Sequence, residues 1–412
     1  MFQVYYTPSK TRWRIEDTPL DIKLADRVMR VKPSPTLAIT ARAAALKAAG
    51  KDIIGLGAGE PDFDTPAHIK AAAIQAINNG FTKYTAVDGT AELKQAVINK
   101  FKHDNDLSYQ PAQVLVSCGG KQSFYNLAQA LLNAGDEVII PAPYWVSYPD
   151  MVLLADGQPV IIDTAYEQAF KLNPAQLDAA ITPKTRLLVL NSPSNPTGQT
   201  YSKVELAALG EVLRKHPHVL IATDDMYEHI LWADEAFSNI VNVCPDLYER
   251  CIVLNGVSKA YAMTGWRIGY AAGPKSLIKA MKKIQSQSTS NPTSIAQVAA
   301  QAALEGDQTC IQSMLKTFKE RHDMVVEGLN NINGIECLPS TGTFYAFPKV
   351  NGLIARLEGI EDDLQLAEYL IEHAGLALVP GSAFGSPGYM RLSYATSTEN
   401  LQAAIQRLSA LK

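Results

Sequence analysis

No run of apolar residues in this chain is long enough to cross a bilayer, so no membrane-spanning helix is expected. Met1 to Leu20 have no apolar core either: Lys10, Arg12, Arg14, Glu16 and Asp17 stand among aromatics, which argues against a secretory signal and makes the cytoplasm the expected location. Cysteine is scarce. Cys118, Cys244, Cys251, Cys310 and Cys337 are scattered without metal-ligand spacing, so reduced, buried thiols are expected and a metal site is not. An excess of one charge is missing too: 37 basic residues stand against 41 acidic ones, a net charge of -4, which offers nothing to nucleic acid. Internal repeats and low-complexity tracts are also lacking.

What remains is the composition of a soluble globular protein, 47% hydrophobic and 19% charged, in 412 residues, too long for one core. The expected division is an N-terminal extension over residues 1–33, a large domain over residues 61–300, and a small domain from residues 34–60 and 301–412. An Ala-rich helix is expected from about Leu37 to Ala49, stopped by Gly50, then a short strand and the turn-rich loop Gly57 to Phe63. From Val114 onward short apolar strands alternate with turns and helices. Strands are expected at Val114 to Ser117, Glu137 to Ile140, Pro159 to Ile162, Leu187 to Leu190, Val219 to Thr223, Ile252 to Leu254 and Ile268 to Ala272. Continuously apolar strands between helices are what a parallel sheet covered on both faces requires, so the large domain reads as α/β. Beyond it a helix from about Gln308 to Leu329, short strands near residues 343–347, 377–379 and 390–394, and a last helix capped by Thr396 and Glu399 read as a smaller α+β domain.

Ligands of an open α/β sheet bind beyond the carboxyl ends of its strands, so the residues there decide the chemistry. Gly119-Gly-Lys121 opens a helix and is either an ordinary turn or a phosphate cradle. Trp145 is either a packing side chain or a flat ring for stacking. Two prolines and a glycine in Asn191 to Gly198 present Asn195 rigidly. Asp224 ends an apolar strand, as a helix cap or as the partner of a cation, with the phenol of Tyr227 three residues on. Lys259 follows the apolar run Cys251 to Leu254, beside Ser258 and near Arg267; taken alone it could simply snorkel outward, but desolvation and a neighbouring cation would make its amine nucleophilic. A phosphate cradle, a stacking ring, an amide, an acid, a phenol and a lysine together suit pyridoxal 5'-phosphate, which needs a lysine for covalent attachment, an acid for its ring nitrogen and anion donors for its phosphate.

With these residues in place the chain resembles the fold type I, class I pyridoxal-phosphate aminotransferases, most of all the bacterial aspartate aminotransferases of the Ib subgroup. The motifs that carry the likeness are Ala58 to Phe63, Lys83-Tyr84, Gly119 to Gln122, Tyr144 to Tyr148, Asn191 to Gly198, Asp224 to His229, Ser258 to Arg267 and Arg391 to Ala395. The resemblance implies a large domain with a mostly parallel seven-stranded sheet, a smaller α+β domain, and a homodimer with shared active sites. It implies Lys259 as the cofactor-bearing lysine, Asp224 at the ring nitrogen, Tyr227 and Asn195 at the phenolic oxygen, and Trp145 on the ring. The phosphate is expected to meet Gly120, Lys121, Ser258, Arg267 and Tyr84 of the other subunit. Arg391 is similar to the arginine that grips the substrate α-carboxylate, with the loop at Gly59 beside it. Gly256 departs from the pattern, since many relatives have serine there, and the departure implies one phosphate hydroxyl fewer.

The expected reaction is ping-pong transamination between an amino acid, most of all aspartate, and 2-oxoglutarate. Lys259 would move the substrate proton as base and acid. The resemblance places Lys121 and Thr36 at the distal carboxylate of acidic substrates and leaves open an aromatic or a dual aspartate/prephenate specificity. Another reaction on the same cofactor, such as a β-lyase, and a non-catalytic regulator are the competing classes; residues 1–33 are too short and too weakly basic for a DNA-binding domain.

Overall fold

The structure, a computed structural model, describes residues 22–33 and 35–411. The expected extension lies outside the described residues as far as residue 21, as do Ser34 and Lys412. The described strands are β1 (Ile54–Gly55), β2 (Val114–Ser117), β3 (Glu137–Ala142), β4 (Gln158–Asp163), β5 (Thr185–Asn191), β6 (Leu220–Asp224), β7 (Cys251–Gly256), β8 (Gly269–Ala272), β9 (Tyr345–Ala346), β10 (Leu376–Ala377), β11 (Val379–Pro380) and β12 (Met390–Ser393).

Strands β2 to β8 form one seven-stranded sheet in the order β2-β8-β7-β6-β5-β3-β4. Its apolar runs are continuous because both faces are covered, and alternate residues of each strand point to opposite sides. Val114, Val116, Ile139, Leu188, Leu190 and Val253 pack into one core with helices that include Ala67–Asn78, Ala91–Asn105 and Ser294–Glu305. Their neighbours Leu115, Val138, Ile140, Leu187, Val189, Ile252 and Leu254 face the other side, against the helices Gly120–Leu131 and Lys275–Ser286.

The fold is the mostly parallel α/β architecture expected, with one reversal. β8 runs antiparallel to both β2 and β7. A parallel neighbour needs a long crossover, usually a helix, and residues 257–268 between β7 and β8 hold only turns and the short 3-10 helix Thr264–Trp266. That reversing connection is the segment that carries Ser258, Lys259 and Arg267.

A further core is built from the helices Thr309–Asn330 and Thr398–Ser409 with β9, β12 and β10, and it also takes in Tyr227 and Ile230 from the loop after β6. β1 pairs in parallel with β10, Ile54 opposite Leu376, which ties the early chain to the late one. The first long helix spans Pro35–Ala48 and stops at Gly50, whose φ of +82° suits glycine. The last helix begins one residue later than the expected Thr396 cap allows. Ser397 is the cap, accepting the N–H of Asn400, because a cap side chain reaches the third residue of the helix, while Glu399 lies within the first turn.

Candidate active site

The parallel strands β3, β5, β6 and β7 all present their carboxyl ends at one edge of the sheet, and the loops there open into a cavity of about 380 Å³. Gly59, from the loop after β1, and Arg391, on β12, close it from the side of the smaller sheets.

At one end is an anion cradle. Gly119 turns the chain with a φ of +87°, so that the helix Gly120–Leu131 starts at the sheet edge. Among the described residues the N–H groups of Gly120 and Lys121 have no intramolecular acceptor, the normal condition of a helix start and the reason such ends receive anions. Arg267 lies over the turn, its Nη1 donating to the Thr264 carbonyl at 2.8 Å and its Nη2 to that of Cys118 at 3.3 Å. A Cβ at residue 119 would stand 2.3 Å from Nη2, so glycine is what admits the guanidinium. Arg267 itself is left-handed, φ +58°, a conformation that costs an L-residue about 1–2 kcal/mol and is found where function demands it. Ser258 also lines the cavity, whereas Gly256 faces Gly269 across the ladder; a Cβ there would lie 3.0 Å from the Gly269 Cα and from the Ile268 carbonyl. The glycine at 256 thus has a packing reason in the close approach of β8.

Next along the cavity stands Asp224, at the end of β6. Its Oδ2 accepts the hydroxyl of Tyr148 at 2.5 Å and its Oδ1 the N–H of Met226 at 3.3 Å. Burial pushes its carboxyl upward, opposed by these hydrogen bonds and by the charge of Lys259. No helix starts at Asp224, so the cap alternative falls away, and a cation brought to it would offset the cost of its burial. Tyr227, Asn195 and Trp145 line the same space.

Lys259 is half-buried and donates through Nζ to the Gly59 carbonyl at 2.6 Å. Burial, then the guanidinium of Arg267, push its ammonium down to about 8, with Glu60 and Asp224 opposing and Arg391 adding to the fall. Arg391 is buried. Its Nη1 donates to Asn195 Oδ1 at 2.9 Å and its Nη2 to the Gly57 carbonyl at 2.8 Å, while Nε has no partner among the described residues. A buried guanidinium without a carboxylate beside it is a strong anion receptor.

Thirteen residues were expected at the site, and twelve line this one cavity: Thr36, Gly59, Gly120, Lys121, Trp145, Asn195, Asp224, Tyr227, Ser258, Lys259, Arg267 and Arg391. Tyr84 is the exception, 91% exposed and outside the lining. Lys121 is exposed and sits 5.2 Å from the Trp145 ring centroid. Sequence reasoning assigned no role to Tyr148 and did not single out Tyr345, which lines the cavity beneath Arg391. Both phenols sit in apolar stretches where an aromatic reads as core. Away from the cavity, Asp104, Glu228 and His229 approach one another within 4.8 Å, but the Lys100 ammonium pairs with Glu228 and stands 3.7 Å from Asp104, supplying the cation itself.

The residues present fit pyridoxal 5'-phosphate: free helix-start N–H groups and Arg267 for a phosphate, buried Asp224 for a ring cation, and an amine of lowered basicity between them. Comparison with known proteins points the same way. A family profile described as aminotransferase class I and II matches residues 51–408. An aspartate/prephenate aminotransferase of Nitrosomonas europaea is 63% identical over 395 residues, 95% of this chain and 100% of that protein. One from Cereibacter sphaeroides is 56% identical, covering 94% and 98%. Among solved structures, the aspartate aminotransferase of Rhizobium meliloti superposes with a TM-score of 0.91 at 48% identity, covering 95% of this chain and 98% of that one. That of Thermus thermophilus with maleate gives 0.88 at 43%, covering 95% and 100%.

Proposed function

This chain belongs to the class I and II aminotransferases, and from that membership we propose a pyridoxal 5'-phosphate enzyme that takes the amino group of aspartate and passes it to 2-oxoglutarate or prephenate. The observation that carries the substrate reading is that buried Arg391 and Lys121 both line one cavity. Aspartate, 2-oxoglutarate and prephenate each hold two carboxylates, one for each cation, and a substrate with only one forgoes the charge-assisted contact with Lys121.

Bound in the cavity, pyridoxal 5'-phosphate supplies a ring that accepts electrons from a C–H bond next to an attached nitrogen. The chain does the rest. Gly120, Lys121, Ser258 and Arg267 hold the phosphate, and Tyr84 joins them from the second subunit of a homodimer. Asp224 would present its carboxyl group to the ring nitrogen, oriented by the hydroxyl of Tyr148. Asn195 gives its Oδ1 to Arg391, which leaves Nδ2 free to donate to the phenolic oxygen alongside the hydroxyl of Tyr227. Arg391 grips the α-carboxylate and so fixes the substrate Cα over Lys259, whose Nζ takes the Cα proton as base and returns it as acid. The side chain of Trp145 covers the ring and helps to exclude water.

Measuring kcat/KM for aspartate, prephenate and phenylalanine tests this reading; a strong preference for phenylalanine would overturn the substrate assignment. Lys121→Met should lower kcat/KM for aspartate by about 10–100-fold, the effect of losing one charge partner, and leave that for phenylalanine within a few-fold. Equal losses for both would mean that Lys121 serves the fold or the phosphate rather than the distal carboxylate.

A further inference from the structure

Tyr345 lies on β9, opposite Ser393 of β12, so Arg391 is its diagonal neighbour on the same face of the sheet. The Arg391 guanidinium carbon stands 4.4 Å from the centroid of the Tyr345 ring and 5.0 Å from that of Phe384, which holds the cation between two aromatic faces. The hydroxyl of the same ring points elsewhere, to within 3.0 Å of the Tyr227 hydroxyl. Both phenols are buried, and a Cβ at residue 59 would stand 3.2 Å from the Tyr345 oxygen, so the loop at Gly59 covers it.

Two hydroxyls that share one hydrogen bond place one proton between them and leave the other free. Tyr227 lines the cavity beside Asp224 and Lys259, and in the cofactor reading above it meets an ionised phenolic oxygen, which can only accept. With the Tyr227 proton turned to that oxygen, the proton shared between the two phenols is the one Tyr345 donates to the Tyr227 oxygen. Donation to an oxygen strengthens the donation its own O–H can make, since hydrogen bonds in a chain polarise one another.

We propose that Tyr345 is a positioning residue that orients and strengthens the Tyr227 hydroxyl as a donor to the cofactor's phenolic oxygen, while its ring separately supports Arg391. This rests on the cofactor reading above. Charge drawn from that oxygen makes the nitrogen joining the cofactor to Lys259 less basic, so the device tunes the proton on that nitrogen.

The test is the pH titration of the visible absorption of the cofactor-loaded homogeneous protein, in the wild type, Tyr345→Phe, Tyr227→Phe and the double variant. Tyr345→Phe keeps the ring against Arg391 and removes only the hydroxyl. Its midpoint should rise by about 0.5–1 unit, the worth of one hydrogen bond, with KM for aspartate within about twofold. Tyr227→Phe should raise it further, and adding Tyr345→Phe to that variant should change nothing more. Coincident midpoints in wild type and Tyr345→Phe, or a Tyr345→Phe shift that persists without the Tyr227 hydroxyl, would overturn the inference. A wild type that gains no visible absorption with pyridoxal 5'-phosphate would overturn the cofactor reading itself, a failure distinct from the first two.

Discussion

Lys259→Ala is expected to leave a folded protein that forms no covalent link to pyridoxal 5'-phosphate, lacks its visible absorption, and transfers amino groups on the order of 10³–10⁴-fold more slowly. Two losses combine here. The amine that would anchor the cofactor is gone, and so is the base that takes the Cα proton. The folding cost should be small, because Lys259 makes one hydrogen bond, to the Gly59 carbonyl, and packs at a reversing turn rather than inside a core. The lowered basicity of Lys259 adds a pH dependence. In the cofactor-free protein the reactive neutral amine grows tenfold per unit as pH rises and levels off above about 8, so the rate of cofactor uptake should follow that curve. Stopped-flow absorbance between pH 6 and pH 10 checks this, and a rate still climbing tenfold per unit at pH 9–10 would mean that an ordinary surface lysine is reacting. Wild-type turnover in Lys259→Ala would remove the mechanism altogether.

Asp224→Ala should lower kcat by about 10²–10³-fold, the usual effect of removing one preorganised charge from a site of developing charge. The carboxylate sits where an apolar strand ends and is costly there on its own, as the upward push on its pKa reports. Tyr148, at 2.5 Å, holds it in orientation toward the cavity. Asp224→Asn separates charge from shape, since an amide can still accept the Tyr148 hydroxyl and fill the same volume. If the charge is what counts, Asn should fall nearly as far as Ala; an Asn variant close to wild type in kcat would reduce Asp224 to a structural acceptor.

Much of the site is legible in the sequence. Cys251 to Leu254 reads as a buried strand, which places the residues just beyond it at a sheet edge, as the structure has them. The same held for Asn195 after β5 and Asp224 at the end of β6. Arg391 was different: nothing in its surroundings marks it, and only resemblance to a known family pointed to it. A mostly parallel sheet is legible in the sequence, but which strand reverses is not, because apolar spacing carries no direction; the shortness of residues 257–268 is the usable signal for β8. The cap at Ser397 was misplaced by one residue for want of the hydrogen bond that defines it.

Tyr345 and Tyr148 show where the limit lies. Each occupies an aromatic, apolar stretch whose pattern is fully satisfied by burial, so the linear sequence contains no reason to ask about the hydroxyl. The kinds of element and the chemical groups at their ends follow from periodicity, turn residues and local polarity, which act over a few residues. Lys259 beside Gly59, Arg391 beside Asn195 and Tyr345 beside Tyr227 are separations of more than a hundred residues closed to hydrogen-bond length. Strand order, register and the packing of the two sheet systems against each other bring them together, and those are settled only when every buried face finds its partner at once.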